Sequence, residues 1–305
     1  MTRRLAIALL TAAVLAGAAA PALAARGKRP APVIGARLDC PVSVPEGQPF
    51  FVRVETVAPM TAVRATWLGR TLTPALEPGA RGVNLLLDLG LHERQPGGEF
   101  DLRVALSTAS GDTVLTATVR RLAKAYPEQH LDVARRFTDM SAADLARHER
   151  EKAAVAAVLC AWTPARAWRY PLARPLPGAV TSAFGLRRFF NGEPKLPHAG
   201  VDLRGKTGTP VRTCAAGRVV LAGDHFFAGG SVYVDHGQGL VSMYFHLSEI
   251  LVVEGQELAR GEVLGRVGET GRVTGPHLHW GLAVQGQLVD PLLLAERPAK
   301  KQRAP

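Results

Sequence analysis

The chain has 305 residues, a length that suits two domains of modest size. Its formal net charge of +11 at pH 7 favours an anionic partner. Nucleic acid is one candidate for such a basic chain, but no basic helix, aromatic stacking run or nucleic-acid motif supports it, and we expect no nucleic-acid binding.

The first 24 residues have the features of an export signal. They begin with two arginines, continue with an uncharged apolar run over 5–20, and end with small residues at Ala22 and Ala24. The alternative is a membrane anchor that stays in place, but the run is short for a bilayer span. We therefore expect cleavage after Ala24, no membrane span afterwards, and a location in the periplasm or cell envelope.

The charge that remains after export points to the envelope itself. Removal of residues 1–24 lowers the formal charge from +11 to +9, because the segment holds two arginines and no acidic residue. An exported basic protein is most simply explained by anionic envelope polymers, such as cell-wall carboxylates or acidic lipid head groups. Residues 293–305 are predicted to be a basic tail, to which we assign no function.

The three cysteines, Cys40, Cys160 and Cys214, are an odd number for an oxidising compartment. One pair could form a disulfide, but the sequence does not say which, and a buried free thiol is the alternative for at least one of them. No Cys-x-x-Cys spacing is present, which argues against zinc ligation by thiolates.

Residues 33–123 are predicted to form an all-β domain. The segments 51–55 and 102–106 alternate apolar and polar side chains, as half-buried strands do. Turn residues at 110–112 precede a further strand over 113–119 and predict a hairpin. The pattern favours a small immunoglobulin-like β-sandwich. Its role stays open among wall binding, docking of a protein regulator and covering of the active-site groove.

A linker of different character follows over 126–177. The segment 142–161 is rich in Ala, Leu, Glu, Arg and Lys and predicts a helix, with Ser141 as N-cap and Asp144 completing a capping box. Four prolines then predict an extended connector over 163–178.

Residues 178–292 again have the pattern of strands separated by glycine turns, with little helical periodicity. The predicted strands are 218–222, 231–235, 240–246, 263–267, 277–284 and 288–289. We therefore expect a compact antiparallel β domain, and a mainly β protein overall.

Two short motifs supply possible metal ligands. His277 and His279 lie one residue apart on a predicted strand, so both point to one face, roughly 6.5–7 Å apart along the strand. His198 and Asp202 are four residues apart, and Gly200 between them allows a bend that brings both inward. Imidazoles with a carboxylate form a ligand set that Zn²⁺ accepts in a catalytic site with one position open for water. Each motif alone is weak, since an isolated histidine is more often structural.

His246 is a further candidate for the same cleft. It shares a predicted strand face with Tyr244 and can therefore point towards the other histidines. His225, in a predicted loop, and His236, before a glycine turn, are expected to lie outside the site.

Five motifs occur in the order and approximate spacing of one known family. They are Thr181-Ser182-Ala183-Phe184-Gly185, His198-Ala199-Gly200-Val201-Asp202, Val234-Asp235-His236-Gly237, Tyr244-Phe245-His246-Leu247-Ser248 and Gly268–Gly281. Over residues 178–292 the chain resembles the lysostaphin-type (LytM-like) zinc metallopeptidases, many of which cut peptide bonds in peptidoglycan.

The resemblance implies the role of each site residue. One zinc ion per chain would be bound by His198, Asp202 and His279. The two remaining histidines of the family, which act in the chemistry rather than in ligation, match His246 and His277. None of the five positions departs from the pattern, so the resemblance implies an active zinc metalloendopeptidase.

The expected reaction is hydrolysis of an amide bond in peptidoglycan cross-links or stem peptides by metal-activated water. One of His246 and His277 would act as general base, and the other would stabilise the oxyanion or protonate the leaving amine. The groove walls are expected from Gly229-Gly230, the turn 268–275 and the loop 188–197.

Two other classes of function remain as alternatives. One is a catalytically idle cell-wall binding or activator protein, and the other is a secreted protease that acts on proteins. A protein regulator is a possible partner in each case.

Overall fold

This computed structural model describes residues 35–91 and 98–296. The predicted signal peptide and the basic run 300–303 lie outside these residues. The described chain is mainly β, as predicted from the sequence. Within the described ranges, no helix combines the length and the apolar character needed to cross a membrane.

Two sheets form the first part of the described chain. Their strands are β1 (Ala36–Asp39), β2 (Ser43–Pro45), β3 (Gln48–Thr56), β4 (Met60–Trp67), β5 (Arg70–Leu72), β6 (Gly82–Leu89), β7 (Glu99–Thr108) and β8 (Gly111–Leu122). One sheet has the order β1-β3-β6 and the other β2-β8-β7-β4-β5. The predicted hairpin is present, because β7 and β8 pair antiparallel from Thr108↔Gly111 onward.

Alternating side chains hold these two sheets together. Val52 and Val54 of β3 and Val104 of β7 are fully buried, whereas the residues between them face outward. They pack with Trp67, whose ring meets Phe50 edge-to-face at 5.6 Å. Burial of such side chains contributes roughly 1.5–3 kcal/mol each. The immunoglobulin-like architecture and the domain boundaries stay predictions.

The predicted linker contains more structure than its sequence suggested. β9 (Glu128–Leu131) pairs in parallel with the later strand β11 (Arg187–Phe190), and α1 spans Ala142–Cys160. The helix begins where predicted, and its Ser141 side chain accepts a hydrogen bond from the Asp144 amide at 3.1 Å. It ends one residue earlier than expected.

The proline-rich connector is not a spacer in solvent. Trp168, Leu172 and Leu176 are each at most 3% exposed and pack into the core of the C-terminal sheet. The connector therefore lacks helix or strand pairing along most of its length, as predicted, but belongs to the hydrophobic core.

The C-terminal part is built on one large sheet in which every pair of neighbouring strands is antiparallel. Its strands are β10 (Val180–Ser182), β13 (Val201–Arg204), β14 (Pro210–Arg212), β15 (Gly217–His225), β16 (Gly229–Asp235), β17 (Leu240–Ile250), β18 (Glu257–Leu258), β19 (Val263–Val267), β20 (His277–Val284) and β21 (Gln287–Val289). The main order is β10-β13-β20-β17-β16-β15-β18. A small sheet of β11 (Arg187–Phe190), β12 (Glu193–Pro194) and β9 lies beside it. β19 and β20 have the bounds predicted from the sequence.

Polar contacts join the first two sheets to the C-terminal sheet. Gln285 Nε2 donates to Leu86 O at 2.9 Å, and the Asp290 amide donates to Gly47 O at 2.9 Å. The Arg70 guanidinium donates to the Gln285 carbonyl. These bonds fix the segment 285–290 against the N-terminal strands.

Candidate active site

The centre of the site is set by the pairing of two strands. Asp202 of β13 lies directly opposite His279 of β20 in the antiparallel ladder. Directly opposed residues point their side chains to the same face of a sheet. His198 precedes β13 and is fixed there by main-chain hydrogen bonds, from its own amide to Leu186 O and from the Gly185 amide to its carbonyl.

Three atoms that could bind a metal ion lie close together at this point. Asp202 Oδ1 lies 3.1 Å from His198 Nε2 and 2.9 Å from His279 Nδ1, and the two nitrogens are 3.0 Å apart. All three side chains are buried, with relative exposures of 1% for His198, 8% for Asp202 and 7% for His279. The sequence-predicted trio is thus brought together by the fold.

The main chain decides which nitrogen of His198 faces the centre. Its Nδ1 lies 2.7 Å from Ala183 O, and a carbonyl can only accept, so Nδ1 carries the proton. Nε2 of the neutral ring then presents a lone pair to Asp202 Oδ1. His279 is held differently, since its ring stacks on Phe245 with centroids 5.2 Å apart and planes at 3°.

This donor set fits a zinc ion. Acceptor atoms at these separations repel one another unless a cation lies among them, and all three lie within 4.8 Å of one another. Two imidazole nitrogens and one carboxylate oxygen, with room for a water, match a catalytic Zn²⁺ site. Burial alone would raise the pKa of Asp202, but its contacts with His198 and His279 keep it below the usual range, so the carboxylate is ionised.

Gly200 forms the bend between His198 and Asp202 that the sequence predicted. Its φ is outside the left-handed region that favours glycine, so the bend itself does not require glycine. A Cβ at this position would lie 2.5 Å from Trp280 O and 2.7 Å from His279 Nε2. Glycine is therefore also needed for the close approach of the His198 segment to β20, a role that the sequence analysis did not predict.

Arg188 orients the carboxylate from the other side. Its Nη2 lies 3.2 Å from Asp202 Oδ2, and its Nε donates to Gln129 Oε1 at 3.1 Å. Gln129 belongs to β9, so the linker strand supports the arginine that fixes Asp202. Oδ1 is thereby left to face the two histidines.

His246 and His277 lie next to the trio, with ring centroids 4.9 Å apart. His246 Nδ1 donates to Thr270 O at 2.9 Å, and His277 Nδ1 donates to Gly275 O at 2.8 Å. Since carbonyls only accept, the Nε2 atom of each neutral ring keeps its lone pair. His277 Nε2 is 3.6 Å from Asp202 Oδ1.

His246 reaches the cleft by a route that strand alternation did not predict. Tyr244, expected on the same face, is turned into the core, where its hydroxyl accepts from the Cys214 amide at 2.8 Å. β17 carries one extra residue between Tyr244 and Leu247 relative to β16, and His246 has φ +66°. This bulge, rather than a shared face, places both Phe245 and His246 along the cleft.

Burial determines the charge state of two of these rings. Burial, with the neighbouring His279 and His277, lowers the pKa of His246 to about 3. Burial lowers the pKa of His279 to about 4, against the hydrogen bond to Asp202, which raises it. Both rings are therefore neutral near pH 7 and available as lone-pair donors.

The five residues line a cleft of about 570 Å³. The predicted loop 188–197 and turn 268–275 both contribute to its walls. The wall expected from Gly229-Gly230 is formed instead by Phe227 and Ala228. A Cβ on Gly229 would lie 2.3 Å from Thr270 Oγ1, and a Cβ on Gly230 would lie 2.4 Å from Leu247 O. These glycines therefore allow close packing of their strand against the segments that carry Thr270 and Leu247.

The other two histidines of the described C-terminal part, and the three cysteines of the chain, lie outside the cleft. His236 is completely buried among core residues, as expected for a structural histidine. His225 ends strand β15 and is not in the predicted loop. Cys40, Cys160 and Cys214 are all free, so none of the disulfide pairings left open by the sequence is present.

The cleft residues that the sequence analysis did not single out include Arg188, Arg272 and Phe227. The two arginines lie in the segments predicted as walls, but nothing else marks them among the 37 Lys and Arg residues of the chain. Phe227 follows Phe226 in a segment with no recognisable motif. Only the spatial approach of separate segments identifies them.

Comparison with known proteins agrees with this geometry. Residues 196–291 match the family described as Peptidase family M23. A crystal structure assigned to the M23 peptidases, from Pseudomonas aeruginosa, is similar over 80% of this chain and 92% of that chain, with 33% identity and a TM-score of 0.61.

Curated relatives are similar over the same region. The peptidoglycan DD-endopeptidase ShyA of Vibrio cholerae is 44% identical over 112 residues, which cover 36% of this chain and 26% of that protein. The DD-carboxypeptidase/endopeptidase Mpg of Neisseria meningitidis is 39% identical over 116 residues, 38% of this chain and 27% of that protein. The aligned part therefore spans only about a quarter of these relatives.

Proposed function

The chain belongs to peptidase family M23, and on that premise we propose that it is a zinc metalloendopeptidase that hydrolyses peptide bonds in peptidoglycan cross-links or stem peptides. The observation that carries the proposal is the meeting of three donor atoms and two further histidines in one cleft. The name of the similar Vibrio protein, a peptidoglycan DD-endopeptidase, supports the choice of peptidoglycan as substrate, and the name of the Neisseria protein, a DD-carboxypeptidase/endopeptidase, supports peptidase activity.

The ligands in this proposal are His198 through Nε2, Asp202 through Oδ1 and His279 through Nδ1. When bound, Zn²⁺ supplies Lewis-acid polarisation of the scissile carbonyl and acidifies the attacking water. The Ala183 carbonyl keeps His198 in the tautomer that ligation requires, and Arg188 keeps Asp202 in position. Such supporting contacts orient ligands and are part of a metal site.

His246 and His277 are proposed to move protons. Each presents an unprotonated Nε2 to the cleft, while its Nδ1 proton is used on a main-chain carbonyl. One of them takes the proton of the attacking water at Nε2. The other, or the same ring once protonated, donates to the leaving amine or holds the developing oxyanion. Because both Nδ1 atoms are fixed, neither ring can turn away from this task without losing a hydrogen bond.

The envelope is the proposed location. The N-terminal 24 residues have the pattern of an export signal, and the basic charge suits a polymer that carries carboxylates. The peptidoglycan in the name of the similar Vibrio protein supports the same location.

The proposal is tested by digestion of purified peptidoglycan from several wall types with the zinc-loaded protein, with and without a chelator. Mass spectrometry identifies the fragments that are released. We expect soluble muropeptides with newly freed amine and carboxyl groups, and their loss on chelation. Release of nothing from any wall type, by protein shown to contain zinc, would reject the enzymatic function and favour an idle binding or activator protein.

A protein-directed protease is distinguished in the same experiment. Casein and unfolded globular proteins are offered to the same preparation. Turnover of these with no release from peptidoglycan would overturn the proposed substrate class while leaving the zinc peptidase chemistry intact.

A further inference from the structure

The charge of the cleft is one-sided. Among the described residues that line it, Asp202 is the single carboxylate, whereas three arginines line it: Arg188, Arg204 and Arg272. Arg188 is engaged with Asp202 at 3.2 Å. Once Asp202 is matched by Arg188 and a metal ion, the wall keeps an excess of positive charge.

Two arginines of this wall, Arg204 and Arg272, have no anionic partner among the described residues, and Arg272 is the partly buried one of the two, whereas Arg204 is exposed. In the described ranges, the Arg272 guanidinium makes no ion pair and no hydrogen bond with another side chain or carbonyl, and the only charge acting on its pKa is the like charge of Arg188. Burial, with that like charge, lowers the pKa of Arg272 to about 10, so the group is still protonated at neutral pH. A partly buried cation that lacks a counter-charge is unfavourable unless a ligand provides one.

The group is also held in place. Its Cζ lies 4.5 Å from the centre of the Phe190 ring and 4.3 Å from that of Phe227. Phe227 is in turn supported by His148 of α1, whose ring meets it edge-to-face with centroids 4.7 Å apart. Contact with aromatic faces attracts a guanidinium without using its N–H donors.

A fixed guanidinium with free N–H donors is suited to a carboxylate. The planar fork of arginine matches the two carboxylate oxygens and forms paired, charge-assisted hydrogen bonds. Such bonds gain strength where water is partly excluded, as it is between two phenyl rings. Neutral main-chain amides would satisfy some donors but would leave the charge unmatched.

We propose that Arg272 forms a carboxylate-binding subsite of the cleft, which selects peptide substrates that carry a free carboxylate near the bond to be cut. The inference rests on the proposed peptidase function and adds the chemistry of its substrate. Stem peptides offer such a group from two sources, a free C-terminus and an acidic side chain, and both share the same recognition by arginine.

The test uses two pairs of synthetic stem peptides with the zinc-loaded protein. In the first pair the C-terminus is a carboxylate or an amide, and in the second the acidic side chain is a carboxylate or an amide. For one of the pairs, we expect kcat/KM to be about 10- to 100-fold higher for the carboxylate form, the range of a charge-assisted hydrogen-bonded contact. The responsive pair identifies the source.

Arg272→Gln should abolish that preference by lowering kcat/KM for the carboxylate form to the level of its amide. Arg204→Gln is the matched control, because it removes an equal charge from the same cleft, and the Arg204 guanidinium lies over no aromatic ring of the described residues. This variant should keep the preference. Zinc content and melting temperature are measured for both variants. Calorimetric binding of the same peptides to wild-type and Arg272→Gln protein gives a readout that does not need turnover.

The outcomes separate this inference from the function on which it rests. If active wild-type protein cleaves the carboxylate and amide forms of both pairs with equal kcat/KM, the proposed subsite is wrong, while the proposed peptidase function is unaffected. The same holds for a preference that survives in Arg272→Gln, or that falls equally in Arg204→Gln. If no peptide is cut, the proposed function fails, and the calorimetric preference for carboxylate still decides whether Arg272 binds it.

Discussion

Two clusters of buried polar side chains lie in the same C-terminal sheet, and both are built around histidine. In the core cluster, His236 donates from Nδ1 to Ala216 O at 2.7 Å, and its Nε2 lies 2.7 Å from Ser242 Oγ. Ser242 continues to the Tyr244 hydroxyl at 2.9 Å, which accepts from the Cys214 amide. In the cleft cluster, His198, Asp202 and His279 aim their acceptor atoms at one another.

The difference lies in where the hydrogen bonds end. Polar atoms of the core cluster find partners inside the protein, so the cluster stabilises the fold and needs nothing else. In the cleft cluster, His198 uses its Nδ1 proton on the Ala183 carbonyl, and the remaining lone pairs converge beside a cavity, an arrangement that needs a cation. Both clusters are buried and both contain histidine, so the direction of the unused lone pairs distinguishes a binding site from a structural one.

The largest difference between the two clusters is expected when a proposed metal ligand of the cleft cluster is removed. His279→Ala should lose the metal and, with it, roughly a thousand-fold or more in turnover, because Lewis-acid stabilisation is worth several kcal/mol. Zinc content of the purified variant by mass spectrometry, together with fragment release from peptidoglycan, measures both effects. A His279→Ala protein with one zinc per chain would contradict its assignment as a ligand.

Loss of a proton-transfer residue should have a smaller effect of a different kind. His246→Ala and His277→Ala should each keep zinc and lower turnover by about 10²- to 10⁴-fold, the usual contribution of general acid–base catalysis. The same zinc and fragment assays apply, with wild type and His279→Ala as the two limits. Metal loss from both variants would place these histidines among the ligands instead.

The smallest effect on chemistry is expected in the core cluster. His236→Ala should lower the free energy of unfolding by roughly 1–3 kcal/mol, because the Ala216 carbonyl loses its donor and the Ser242 hydroxyl keeps only its bond to Tyr244. Zinc content and turnover per folded molecule should equal those of wild type. Thermal unfolding and active-site titration with zinc are the measurements, and loss of metal from folded His236→Ala would show that the two clusters are not separate.

Local sequence patterns were sufficient to predict several secondary-structure elements and the family. The strand bounds of β19 and β20, the start of α1 and the capping contact of Ser141 follow from short-range chemistry and were predicted. The motifs of residues 178–292 also predicted the LytM-like family, and the match to peptidase family M23 confirms it.

Features that depend on contact between distant segments were not predicted. Trp168 enters a core built mostly of later strands, and β9 pairs with a strand some 60 residues onward. Arg188 and Arg272 became visible only when separate loops met at one cleft. His246 was named correctly as a site position but for the wrong physical reason, since it depends on a bulge. The clearance that Gly200 provides was not predicted, although its bend was.

The left-handed backbone conformation of His246 determines which residue type would be most stable at this position. A residue with a Cβ at φ +66° is less stable there than glycine, by about 1 kcal/mol. Random substitution should therefore find glycine at this position to be as stable as histidine or more so, while the imidazole is lost. Selection for the fold alone would favour glycine here, so a histidine at this position indicates a demand other than stability.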